Sequence, residues 1–95
     1  MSNYEVLMLF SVKDGEEASE ALKDKFLELI SKNGTLGEVD VWGKRKLAYP
    51  VNDEPDGYYV LANFEAEPSF PTEFHRVFGI TDGALRAMIV NKEEK

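Results

Sequence analysis

The sequence contains no cysteine and no long hydrophobic segment, and each absence excludes a class of protein. Without cysteine the chain can form neither a disulfide framework nor a thiolate metal site, which suits a reducing compartment. The apolar run from Val6 to Phe10 is far shorter than the roughly 20 residues that span a bilayer. It also lacks the basic start and the small-residue cleavage site of a secretory signal. We therefore expect a cytoplasmic protein without membrane contact.

Residues that usually perform catalysis or hold cofactors are sparse. The single histidine, His75, has no cysteine to activate and no acidic residue three or four positions after it to orient its ring. Glu65 and Glu67 share one parity, but two acids before a turn are typical of a solvated strand face. The chain also lacks a phosphate-binding glycine loop, an HExxH motif and the spacing of a calcium-binding loop. The sequence therefore predicts a protein that is not an enzyme and uses no metal, cofactor or small-molecule substrate.

Acidic residues outnumber basic residues, 18 to 11, and the formal net charge is -7. This excess argues against binding nucleic acid alone, because lysine and arginine neutralise the phosphates. The distribution is uneven, since the acids concentrate in the region 14–28, in the turn 53–56 and near the C-terminus. Lys44, Arg45 and Lys46 form an uninterrupted basic triplet, and no acidic residue occurs between Val41 and Asn52. The triplet is therefore a candidate for contact with an anionic partner.

The 95 residues, 43% hydrophobic and 31% charged, are typical of one soluble globular domain. A chain of this size buries roughly 60 to 70% of its unfolded surface, which is enough for one sheet packed on a few helices. It has no internal repeats or low-complexity segments. We expect a single domain over residues 1–95, with an ordered core at about 3–91 and a frayed tail over residues 92–95.

The first half of the chain predicts a strand, a helix and a second strand. Residues 4–12 are rich in strand formers, and apolar groups occur on both parities. Asp14 is placed to cap a helix that ends at Asn33-Gly34. Its predicted core stripe consists of Ala18, Ala21, Leu22, Phe26, Leu29 and Ile30, with Lys23, Lys25 and Glu28 toward solvent. Residues 36–51 are extended, with a bulge expected at Gly43.

The second half predicts a hairpin partner, a short helix and a last strand. The turn formers of residues 52–57 precede an extended run over 58–67. Ser69 is placed to cap a helix that has Pro71 in its first turn and Gly79 at its end. The apolar stripe of this helix consists of Phe70, Phe74, Val77 and Phe78. Residues 84–90 alternate as a strand, with Arg86, Met88 and Val90 on one of its two faces.

The resulting order, β-α-β-β-α-β, predicts an α+β, ferredoxin-like fold with a four-stranded antiparallel sheet and both helices on one face. If Val6, Met8 and Phe10 face the helices, the opposite face is also apolar. It carries Leu7, Leu9, Tyr59, Leu61 and Met88 beside Arg86. Such a patch marks an interaction site in many proteins. The alternative is a scatter of apolar residues, which is common on monomers.

The basic triplet also allows two interpretations. On a strand, Lys44 and Lys46 share one face and Arg45 takes the other, so the three contact one phosphate row only if the bulge reorients them. Lysines on an edge strand also discourage aggregation without binding anything. Trp42 and Tyr49 flank the triplet, where their rings are available to stack on bases or partner side chains, although aromatic residues in strands are more often part of the core.

A family resemblance covers residues 4–90. The segment W-G-K-R-K-L-A-Y-P-V over 42–51, followed by Gly57-Tyr58-Tyr59, resembles the signature of the bacterial small-subunit ribosomal protein S6 family. Tyr4-Glu5 resembles the opening of that family, and Leu85-Arg86 resembles its motif in the last strand. Two departures occur, because Ser2-Asn3 replaces the arginine that often precedes the family's opening tyrosine, and residues 79–84 are richer in glycine.

The resemblance implies a structural component of the small ribosomal subunit that is not catalytic. Members bind the central domain of 16S ribosomal RNA, chiefly as a heterodimer with ribosomal protein S18. The residues carried over as RNA or partner contacts are Lys44, Arg45, Lys46, Arg86, Trp42, Tyr49 and Tyr59. The alternative function is a homodimeric, ferredoxin-like module for regulation or small-molecule sensing, which would pair two copies through the uncovered sheet face.

Overall fold

Six elements follow one another in the predicted order. The structure is a computed structural model and describes residues 2–51 and 54–92, with side chains at 2–47 and 54–92. The elements are β1 (Ser2–Ser11), α1 (Glu16–Asn33), β2 (Gly34–Val51), β3 (Glu54–Ala66), α2 (Phe70–Gly79) and β4 (Ala84–Asn91).

The four strands form one sheet in the order β2-β3-β1-β4, and every pair of neighbours is antiparallel. β1 is central, since Val6 lies opposite Ala62 of β3 and Ile89 of β4. The strands that precede and follow each helix are separated by one other strand, as in the split βαβ arrangement. The predicted ferredoxin-like fold is confirmed.

The core lies between one face of this sheet and both helices. Val6, Met8 and Phe10 of β1 are fully buried, and their alternation with less buried neighbours fixes which face is covered. Phe26 of α1 contacts Phe78 of α2 with ring centroids 4.9 Å apart, so the helices meet through aromatic side chains. This arrangement confirms that both helices pack on one side and leave the other side uncovered by them.

The start of α1 differs from the prediction, whereas its end at Asn33, followed by Gly34, agrees with it. Gly15, with a φ of 96°, occupies the cap position, and no side chain caps the helix, so the predicted cap at Asp14 is wrong. At the other end Gly34 is extended and begins β2 directly. A Cβ at Gly34 would lie 2.1 Å from the backbone oxygen of Glu65, so glycine is required there for the close approach of β3.

The buried stripe of α1 is rotated slightly from the predicted one. Ala21 is exposed, whereas Ser19 is fully buried. Lys23, expected in solvent, keeps only 20% of its side chain exposed. The long aliphatic part of lysine packs against apolar neighbours while its ammonium group reaches water, which accounts for this position.

The long hairpin of β2 and β3 carries the predicted bulge. The pairing register shifts between Val41 and Gly43, and Gly43 has a φ of 79° that favours glycine. β3 begins at Glu54, so residues 54–57 are strand rather than turn. The other predicted turn residues, 52 and 53, lie outside the described residues.

Two smaller predictions concern the last helix and the tail. Ser69 occupies the cap position of α2 but makes no capping hydrogen bond through its side chain. Lys92 is not frayed, because its backbone N–H donates to the carbonyl oxygen of Asn3 at 2.9 Å. The remainder of the predicted tail, residues 93–95, lies outside the described residues.

Candidate partner and RNA interface

The face of the sheet that the helices leave uncovered, here called the open face, is built from the alternate residues of each strand. Directly paired residues of antiparallel strands point to the same side. Two rows therefore cross the open face from β4 to β2. One row contains Arg86, Leu9, Tyr59 and Gly43, and the next contains Met88, Leu7, Leu61 and Asp40.

Large apolar side chains of the open face remain in contact with solvent. Met88 is 59% exposed and Val90 is 49% exposed, both on β4. Trp42 is 40% exposed at the opposite edge. Apolar side chains that span a sheet from edge to edge form the contiguous kind of patch that marks interaction sites.

One end of the open face is filled by the chain itself. Leu9 is only 4% exposed and Leu47 only 8%, although sequence parity predicts Leu9 as part of the uncovered patch. A Cβ at Gly57 would lie 2.2 Å from Cδ1 of Leu9 and 3.3 Å from Cδ2 of Leu47, so both leucines close over this glycine. The surface open to a partner therefore consists of Leu7, Leu61, Met88, Val90, Tyr59 and Trp42.

Trp42 and Tyr59 are brought together on the open face by the bulge in β2. Their ring centroids are 5.8 Å apart, with 43° between the ring planes. The indole Nε1–H of Trp42 donates to Oδ2 of Asp40 at 3.0 Å, which fixes the orientation of the indole. The pair forms an angled aromatic cleft with a carboxylate at its edge.

The basic triplet alternates across the edge strand as the sequence predicts. Arg45 pairs with Gly57 and points to the open face, whereas Lys44 pairs with Tyr58 and Lys46 with Asp56, toward the helix side. All three are exposed. Within the described part of the chain no acidic group forms an ion pair with any of them; the ion pairs there are Lys23–Asp24, Lys32–Glu28 and Arg76–Glu73. Their charges are accordingly available to a partner on both sides of the edge.

Arg86 lies far from the triplet. It is exposed on β4 opposite Leu9, and β4 and β2 are opposite edges of the sheet. Three strand spacings of about 4.8 Å separate these edges by roughly 14 Å. The predicted contacts thus form two groups, Arg86 at one edge and Trp42, Tyr59 and the triplet at the other. The side chain of Tyr49 lies outside the described residues.

Shifted pKa values occur on the helix side of the sheet and on α2. Burial raises the pKa of the Tyr58 phenol, with the nearby Lys23 acting in the opposite direction. Hydrogen bonding to Arg76 lowers the pKa of the Glu73 carboxyl on the solvent side of α2. These groups belong to the core and to a surface ion pair on α2, and neither lies on the open face.

The solved structure of ribosomal protein S6 from Thermotoga maritima superimposes on this fold with a TM-score of 0.88. The match covers 96% of this chain and 87% of that one at 22% sequence identity. Small ribosomal subunit protein bS6 of Clostridium novyi is 50% identical over 95 residues, covering 99% of this chain and 100% of the relative. The corresponding protein of Thermoanaerobacter pseudethanolicus is 43% identical, with the same two coverages. The model of the family described as ribosomal protein S6 matches residues 3–91. The chain belongs to the ribosomal protein S6 family.

The S6 match spans all six elements and therefore includes both edges of the open face. No helix in the described ranges has the length and hydropathy to cross a membrane. The same ranges contain no group of three or more His, Cys, Asp or Glu side chains placed to hold a metal ion.

Two contributors to the open face of this S6 family member were missed from the sequence. Asp40 lies on it by register, and Leu47 closes one end. Val90 lies on the same face as Arg86 and Met88, as its parity predicts. The position of Asp40 was not predictable, because the register shift at Gly43 changes the parity of β2 by one residue. The position of Leu47 was not predictable either, because it packs over Gly57 on β3, where a side chain would contact it.

Proposed function

We propose that this protein is a non-catalytic structural component of the small ribosomal subunit that binds the central domain of 16S ribosomal RNA as a heterodimer with ribosomal protein S18. The observation that carries the proposal is the uncovered apolar face, on which Met88 and Val90 remain about half exposed. Family membership supplies the ribosomal context. The protein acts as one domain over residues 1–95, in the cytoplasm and on the ribosome.

The charge balance explains why a second protein is required. A net charge of -7 opposes association with a polyanion, and the exposed basic triplet neutralises only a few phosphates. A basic partner on the open face supplies further cations and is attracted by the acidic body of this chain. Binding to RNA is therefore weak alone and becomes tight in the heterodimer.

The contacts divide between the two partners according to the alternation of β2. Lys44 and Lys46 point away from the open face and contact the RNA backbone, where their ammonium groups act as point charges. Arg86 and the aromatic pair of Trp42 and Tyr59 face the protein partner. Arg45 lies on the open-face side of the same edge and reaches the junction between protein and RNA.

Ribosome pelleting tests the proposal. Tagged protein is expected to sediment with 30S subunits, to be released by a high-salt wash and to bind a central-domain RNA fragment much more tightly when S18 is added. The salt dependence of that binding reports the phosphates neutralised. A stable homodimer at micromolar concentration, with no sedimentation and no affinity for the RNA fragment at any S18 concentration, would instead support the regulatory-module alternative.

A further inference from the structure

We propose that Trp42, Tyr59 and Asp40 form a cleft that binds the guanidinium group of one arginine side chain from the protein partner. The inference rests on the proposed function, because it specifies which chemistry of a basic partner the open face recognises. It concerns the aromatic cleft alone and makes no claim about how Lys44 or Lys46 contact RNA.

The geometry of the cleft suits a flat cation. The two rings pack against each other with centroids 5.8 Å apart and 43° between their planes, and the indole remains 40% exposed, so a planar group from outside can stack on its solvent side. Cations bind the faces of aromatic rings, and tryptophan is the strongest such ring. Asp40 uses Oδ2 to accept the indole N–H, and its other carboxylate oxygen remains available to a guanidinium N–H.

The charges on the open face favour a cation over a nucleotide base. Asp40, Glu5 and Glu65 all point to this side of the sheet by register. A base that stacked on Trp42 would bring its negatively charged phosphate toward these carboxylates, which repel it. The positive charge of an arginine is attracted by the same carboxylates. This face also carries the cations Arg45, Arg86 and Lys92, but within the described residues none of them forms an ion pair with Asp40.

The cleft is not occupied by cations of the chain itself. Over the ranges 2–47 and 54–92, the cation–π contact is between Lys25 and Phe26, on the helix side. In the same ranges Asp40 takes part in no ion pair. Trp42 is 40% exposed, so a side chain from outside reaches it without unfolding the strand.

Arginine fits better than lysine because of its shape. The guanidinium group is planar, stacks on aromatic faces and donates several N–H groups in a fixed fork. The ammonium group of lysine is strongly hydrated and has no flat surface to stack. The cleft is therefore expected to distinguish two side chains that carry the same charge.

Trp42 is the only tryptophan and reports on the cleft by its fluorescence. We expect a short peptide of alternating arginine and alanine to change this fluorescence at about fivefold or more lower concentration than the matching lysine peptide. Asp40→Asn retains an oxygen that accepts the indole N–H but removes the charge, and should weaken arginine binding about fivefold. Glu17→Gln, which removes an equal charge at an exposed position of α1, should leave binding unchanged. Trp42→Leu, followed by calorimetry, should abolish the preference for arginine.

The same proteins are then assembled with S18 and the central-domain RNA fragment. Weaker assembly of Asp40→Asn and Trp42→Leu, with Glu17→Gln as in the wild type, supports the cleft. Equal affinity for the arginine and lysine peptides overturns the inference, and so does a stronger fluorescence response to a single-stranded RNA oligonucleotide. If the wild-type protein still assembles normally, the proposed function is unaffected by either result. Failure of the wild-type protein to assemble at all overturns both. Circular dichroism of each variant separates loss of binding from loss of fold.

Discussion

The hydroxyl of Ser19 donates a 2.6 Å hydrogen bond to the backbone carbonyl oxygen of Ser11. Ser19 is fully buried near the start of α1, and Ser11 is the last residue of β1. This bond joins helix to strand across the turn that contains Gly15, where no side chain caps the helix. The position of α1 on the sheet is therefore fixed by a tertiary hydrogen bond instead of a local cap.

Replacing Ser19 with alanine should lower the free energy of unfolding by about 1–3 kcal/mol, because the part-buried hydrogen bond to the carbonyl oxygen of Ser11 is lost. Ser31→Ala is the matched control, since Ser31 is exposed on the same helix and alanine favours helix. Urea unfolding of both variants measures the difference. Equal midpoints would show that the hydrogen bond contributes nothing net.

The aromatic core predicts a larger effect at Phe26. Its ring is fully buried and has centroids of Phe10 and Phe78 within 6.0 Å and 4.9 Å. Phe26→Ala leaves a cavity between both helices and the sheet and should cost about 3–5 kcal/mol. Ile80→Ala removes a large apolar side chain that is 74% exposed and should change stability by less than about 0.5 kcal/mol. Thermal or urea unfolding measures both, and similar values for the two variants would contradict this description of the core.

Gly34→Ala tests the close approach of β2 and β3. The added methyl group would meet the backbone oxygen of Glu65 at 2.1 Å, so the strands must separate locally, at an expected cost of about 1–3 kcal/mol or more. Gly79→Ala is the control, because a Cβ at position 79 would have nothing within 4 Å. Alanine also loses less backbone freedom than glycine when the chain folds. Gly79→Ala should be neutral or stabilising by up to about 1 kcal/mol. Destabilisation by both substitutions to the same extent would show that steric contact at Gly34 is not the cause.

The order of elements was predictable because each signal is local. The alternation of Val6, Met8 and Phe10 with less buried neighbours, and the spacing of Phe70, Phe74 and Phe78, reflect the periods of strand and helix. Gly43 was recognisable as a bulge because a glycine interrupts an extended segment. These features do not depend on what the rest of the chain does.

The failure on the open face involves residues that are distant in sequence. Leu9 is buried on the open face because Gly57, on the neighbouring strand, has no side chain to separate it from Leu47. The failed prediction of a cap at Asp14 has a local cause. The backbone N–H of Gly15 donates to the carbonyl oxygen of Val12 in a turn, and Gly15 takes the cap position of α1. The separation of Arg86 from the basic triplet follows from the strand order β2-β3-β1-β4.

The surface pair on α2 predicts a pH effect. Nε of Arg76 donates to Oε2 of Glu73 at 3.1 Å, and this hydrogen bonding lowers the pKa of the Glu73 carboxyl. A lowered pKa in the folded state means that the contribution of the pair is complete above the unfolded pKa and is lost as pH falls through the folded value. In an NMR titration, Arg76→Ala should raise the midpoint of Glu73 toward its ordinary value. Arg86→Ala, on the sheet, should leave the midpoint unchanged, and an unchanged midpoint in Arg76→Ala would refute the assignment.

Arginine substitutions test the interface directly. Arg45→Ala and Arg86→Ala each remove an exposed charge at one edge of the open face and should change the free energy of unfolding by less than about 0.5 kcal/mol. Both should nevertheless weaken assembly with S18 and the central-domain RNA, because each removes a cation from a proposed contact. Arg76→Ala is the matched control, since Arg76 is equally charged but lies on α2 and is paired with Glu73.

The salt dependence of assembly distinguishes what each arginine contacts. Loss of a phosphate contact reduces the slope of log affinity against log salt by about one, whereas loss of a contact with protein lowers affinity with little change in slope. We expect the reduced slope for Arg45→Ala, near Lys44 and Lys46, and the nearly unchanged slope for Arg86→Ala, beside Met88 on β4. Wild-type assembly by both variants would mean that neither arginine contributes to the interface and would contradict the assignment of both as contacts.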